Sequence, residues 1–104
     1  MADIEVRTSG SAITMSTADR IVVRLPENAG TGYQWSIAQL GEPLEVVSNE
    51  VIPPRQMAPG ASGDRVVIIQ PRGPGHAKLR LELKRAWERD PVEQFEADVH
   101  VTEP

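Results

Sequence analysis

From Lys78 to Lys84 the chain alternates strictly, with Leu79, Leu81 and Leu83 on one side and Lys78, Arg80, Glu82 and Lys84 on the other. Successive side chains of a strand point to opposite faces, so this period of two describes a strand with one face on a core and one in water. A helix would scatter the same leucines around its circumference. The pattern recurs in Ile21, Val23 and Leu25, with Arg20 and Arg24 outside, and in Phe95, Ala97, Val99 and Val101, with Glu96, Asp98 and His100 outside. Ile4 and Val6 alternate with Asp3, Glu5 and Arg7. Val66 to Ile69 is a short apolar run, fitting a strand buried on both faces or lying at a sheet junction. Leu44 to Ile52 is β-branched enough for one more strand, and another begins around Tyr33 and Trp35.

No stretch shows a helical period with a cap. The nine prolines and eight glycines fall between the strand candidates, as in Pro26 to Gly32, Pro53 to Gly63 and Arg72 to Gly75. Short strands with one polar and one apolar face, separated by turn signals, describe an all-β antiparallel β-sandwich of about seven strands. A length of 104 residues allows a single domain spanning 1–104, large enough for a core without cross-links. There is no cysteine to supply one.

Charge and composition narrow the function classes. A net charge of −4, with Lys and Arg scattered, does not suit a protein that tracks phosphates, so no nucleic-acid partner is expected. Two histidines and no cysteine leave little material for a metal site, and no cofactor is expected. Met1 to Glu5 is not a basic cluster leading into an apolar run, and no apolar stretch is long enough to span a membrane. A cytoplasmic monomer without membrane association is the expectation.

Three connections differ from ordinary turns. In the first, Glu27 to Trp35, two glycines leave Thr31 on a bare tip that allows close approach of a partner. Tyr33 and Trp35, two apart, share a strand face and read as core aromatics. The second, Pro53 to Asp64, is long for a compact domain and fits either a binding loop or a plain linker. The third, Arg85 to Pro91, follows the best strand. Continued alternation would turn Arg85 inward, so the strand is expected to end there. Trp87 then stands among charges, either as an exposed binding anchor or folded back as a cap on the sandwich.

Catalysis has little support. His100 alternates with Val99 and Val101 and faces solvent, His76 starts a strand, and Glu88, Asp90, Glu93 and Glu96 read as solvated loop and edge charges. A non-catalytic binding module is the alternative to an enzyme, with Tyr33, Trp35 and Trp87 as a carbohydrate platform or the same loops docking another protein. Against the platform, the chain has only four aromatic residues besides histidine, Tyr33, Trp35, Trp87 and Phe95.

The loops themselves carry a family likeness. Asn28-Ala29-Gly30-Thr31-Gly32-Tyr33-Gln34-Trp35, then Gly60-Ala61-Ser62-Gly63, then Arg85-Ala86-Trp87 resemble, in order and approximate spacing, three signature loops of the chagasin-type inhibitors of papain-like cysteine proteases. Those loops read Asn-Pro-Thr-Thr-Gly-aromatic-x-Trp, Gly-x-Gly-Gly and Arg-Pro-Trp. The Leu25-Pro26 lead-in and the Pro53-Pro54 pair agree as well, and the likeness runs from about Met15 to the C-terminus. It implies an immunoglobulin-like sandwich with the three loops gathered at one end as a wedge for the protease cleft. Asn28, Ala29, Gly30, Thr31 and Gly32 would meet the cleft centre, with Thr31 over the catalytic Cys and His of the target. Gly60, Ala61, Ser62 and Gly63 would run along the non-primed side, and Arg85, Ala86 and Trp87 would pack on the primed side. The chain departs from the pattern at Ala29, Gly30, Ser62 and Ala86. Loss of two prolines loosens the first and third loops, and Ser62 would be strained if its backbone required positive φ, so a weaker or narrower inhibitor is expected.

Overall fold

The computed structural model describes residues 2–54 and 62–104. Its strands are β1 (Asp3–Val6), β2 (Ser11–Ser16), β3 (Arg20–Glu27), β4 (Gln34–Leu40), β5 (Leu44–Ile52), β6 (Gly63–Pro71), β7 (Gly75–Lys84) and β8 (Glu93–Thr102). They form two four-stranded sheets, ordered β1-β3-β6-β5 and β2-β8-β7-β4, which face each other as a sandwich. The inward rows are those read from the alternation: Ile21, Val23 and Leu25 on β3, Leu79 and Leu81 on β7, and Phe95, Ala97, Val99 and Val101 on β8. Each large apolar side chain removed from water in this layer contributes roughly 1.5–3 kcal/mol.

Three expectations need correction. The structure has eight strands where about seven were expected, and the additional one is β2. Only Ile13 and Met15 of β2 reach the core, and the flanking Ser, Ala and Thr residues hide the period. The sandwich is not purely antiparallel, because β1 pairs with β3 and β2 with β8 in parallel. Pro26, placed by the sequence between strands, lies inside one, since β3 continues to Glu27. β1 covers β3 only from Arg20 to Val23, so Pro26 lies on a stretch with one free edge, where a strand tolerates proline.

Pairing registers fix where the loops emerge. Glu27 lies opposite Gly63, Ile52 opposite Asp64, Gln34 opposite Lys84 and Leu83 opposite Glu93. The β3–β4, β5–β6 and β7–β8 connections therefore all leave the same end of the sandwich. The opposite end carries the β4–β5 and β6–β7 connections and the start of β3.

Candidate functional site

The first loop is a compact turn. Its short 3-10 segment covers Ala29–Thr31. Asn28 organises it: Oδ1 accepts the Gly30 N–H at 3.0 Å, and its carbonyl accepts the Thr31 N–H at 3.2 Å and the Thr31 hydroxyl at 2.8 Å. The Thr31 hydroxyl in turn accepts the Tyr33 N–H at 3.3 Å. Thr31 is exposed as expected, but its hydroxyl is spent inside the turn. Gly32, at φ +80°, reverses the chain in a conformation that a side chain would strain. The proline-free turn is thus held by side-chain hydrogen bonds of a kind that Asn and Thr supply locally.

The base of this loop is closed by a buried acid. Glu27 continues the inward row of Ile21, Val23 and Leu25, and it is 5% exposed. Its Oε1 accepts the Trp35 backbone N–H at 2.7 Å, which joins the residue leaving β3 to the start of β4. Arg65 on β6 donates to the same carboxylate through Nε at 3.0 Å and Nη2 at 2.9 Å, and its Nη1 donates to Asn49 of β5 at 3.0 Å. Trp35 is buried, and its indole N–H donates to the Pro26 carbonyl at 3.0 Å. Neither Glu27 nor Arg65 was singled out from the sequence. The signal was present, because extending the inward rows of β3 and β6 places one acid and one base in the interior at the loop end.

Tyr33 is not a core aromatic. It is half-buried ahead of β4, and the Arg85 guanidinium carbon lies 4.3 Å from its ring centroid. The same carbon lies 5.8 Å from the Trp87 ring, and Arg85 Nε donates to the Thr31 carbonyl at 3.2 Å. β7 ends at Lys84, as the misplaced charge predicted, and Arg85 uses the freedom to bridge the first and third loops. The third loop holds itself through Glu88 N–H to the Arg85 carbonyl (3.0 Å), Arg85 N–H to Glu88 Oε1 (3.2 Å) and Val92 N–H to the Leu83 carbonyl (2.8 Å). Trp87 is 78% exposed, so it does not fold back as a cap on the sandwich, and Ala86 beside it is exposed too. With Trp35 in the core, the three-aromatic carbohydrate platform does not form.

Gly60 and Ala61 of the second loop lie outside the described residues. Ser62 is exposed and has no positive φ, so the anticipated strain is absent. Gly63 is buried where β6 begins, and a Cβ there would run into the Ile52 carbonyl. The two histidines stack on each other, centroids 4.5 Å apart, on paired positions of β7 and β8 toward the opposite end of the sandwich.

A ridge of two fused loops with a bare indole suits docking, and comparison with known proteins says of what kind. The sequence model of the Chagasin family peptidase inhibitor I42 matches residues 14–101. The chain belongs to the chagasin family of peptidase inhibitors. It is accordingly an inhibitor and not an enzyme. Among solved structures, the cysteine protease inhibitor EhICP2 from Entamoeba histolytica is similar at 21% identity, with 98% of this chain and 97% of that one covered and a TM-score of 0.83. Leishmania mexicana ICP is similar at 25% identity over 93% and 90% of the two chains, with a TM-score of 0.62. PbICP-C, solved in complex with falcipain-2, shares the fold at 15% identity over 100% of both chains, with a TM-score of 0.62. No curated protein sequence matches this chagasin-family chain.

Proposed function

We infer that the chain inhibits papain-like cysteine proteases by seating the ridge of its first and third loops in the active-site cleft, with the second loop alongside. Family membership supports inhibition, and PbICP-C in complex with falcipain-2 offers a precedent for the target class. The observation that carries the reading is the position of Arg85, which fastens both loops into one surface and leaves Trp87 bare at its edge. A rigid ridge forfeits less entropy on binding than two separate loops, and an exposed Trp beside an Arg is the composition of a binding hot spot.

In this reading the turn of Asn28, Ala29, Gly30, Thr31 and Gly32 enters over the catalytic Cys and His of the protease. Thr31 presents backbone and methyl group there, since its hydroxyl is engaged. Gly60, Ala61, Ser62 and Gly63 lie along the non-primed side, and Arg85, Ala86 and Trp87 cover the primed side. Neither the first nor the third loop carries a nucleophile paired with a base, so the ridge blocks the cleft without reacting.

Steady-state assays of papain and a cathepsin-L-like protease, with trypsin as control, test this. Selective, reversible inhibition of the two cysteine proteases is expected. Absence of inhibition at high micromolar protein, or equal inhibition of trypsin, would overturn it.

A further inference from the structure

The charge pair at the root of the loops has no obvious place in a sandwich core. Glu27 occupies the last inward position of β3, and Arg65 is the inward side chain of β6 nearest the loop, since only the buried Gly63 lies beyond it in that row; an apolar pair there would cap the core, and the two side chains are only 3% and 14% exposed. Taking two charges out of water is costly, and replacing a buried ion pair with apolar residues of similar size is often neutral or stabilising. Stability alone does not account for the pair. Geometry does. One carboxylate holds the Trp35 amide, which closes the base of the first loop, and it also holds Arg65, two residues past Gly63, where the second loop returns. Arg65 carries the connection on to Asn49 of β5. An apolar pair would fill the same space without fixing any of these directions.

We propose that Glu27 and Arg65 are a positioning pair that holds the first loop in its docking-competent form against β6, and so sets how fast the ridge enters a protease cleft. The proposal rests on the protease-inhibitor reading above. A loop released from this clamp spends part of its time in forms that do not fit, so the association rate falls by the lost fraction while the dissociation rate of the formed complex stays near its original value.

The test compares the wild type, Glu27→Gln, and the double variant Glu27→Met with Arg65→Met. The expected result is a double variant with an unfolding midpoint at or above the wild type and an association rate constant with papain about tenfold lower, its dissociation rate little changed. Glu27→Gln keeps an acceptor for the Trp35 amide and falls between. Amide exchange of Gly30 and Thr31 in the free proteins accelerates in the same order. Wild-type association rates and wild-type exchange in either folded variant would overturn the proposal. Failure of the wild type to inhibit papain would overturn the functional reading instead, and exchange in the free proteins would still decide whether the pair positions the loop.

Discussion

Trp87 keeps most of its ring in water, although burying a large apolar side chain is worth roughly 1.5–3 kcal/mol. A partner supplies that burial in the proposed complex. Trp87→Ala is therefore expected to weaken papain binding by about 2 kcal/mol, roughly thirtyfold, and to leave the unfolding midpoint nearly unchanged. Inhibition constants and thermal melts check both halves, and unchanged affinity would remove Trp87 from the interface. Gly63 carries the opposite kind of constraint. Gly63→Ala pushes a Cβ into the Ile52 carbonyl, so a loss of about 1–3 kcal/mol is expected in denaturant titrations. At this scale the sequence was readable wherever a residue breaks its own pattern. Arg85 declared itself by falling on the wrong side of β7. Tyr33 was misread because aromatic spacing cannot tell a core ring from one lying beneath a guanidinium. Glu27 and Arg65 escaped because their rows end in loops, where alternation is no longer followed.

Among the elements, β1 packs Val6 and Ile4 on the core and carries ion pairs on its outer face. Arg20 pairs with Asp3 at 3.1 Å and Arg24 with Glu5 at 3.2 Å, and Asp19 accepts the Ala2 and Ser16 amides at 3.0 Å each. The Arg7 hydrogen bond, helped by Arg24, holds the Glu5 carboxyl below its usual range, and the Ser16 amide does the same for Asp19. Hydrogen bonding to Asp64 raises Arg24 further above its already high value. A carboxyl depressed in the folded state stabilises above its unfolded pKa, and that contribution disappears as pH falls through the folded value. The unfolding midpoint should therefore hold steady above about pH 5 and decline below about pH 4, with β1 amides exchanging first. Glu5 is exposed and Asp19 half-buried at the surface, so the decline is small, and added salt should reduce it. A midpoint that is flat down to about pH 3 would contradict this account. Strands with a strong period, β3, β7 and β8, were legible at this scale. β2 was not, because its small polar residues carry too little contrast between faces.

The whole molecule shows why three short motifs, distant along the chain, can make one surface. Crossing between sheets at β3–β4 and pairing within sheets at β5–β6 and β7–β8 bring all three loops to one end. The order of the motifs was legible, and so was the family. The parallel pairing of β1 and β2 was not, since alternation fixes which face a residue takes and says nothing about its neighbour strand. The central claim is that this end of the sandwich occupies the cleft in place of substrate. Papain kinetics against a peptide substrate at several inhibitor concentrations test it most directly. The account predicts an apparent KM that rises linearly with inhibitor at constant kcat. A falling kcat at constant KM would place the protein outside the cleft and contradict it.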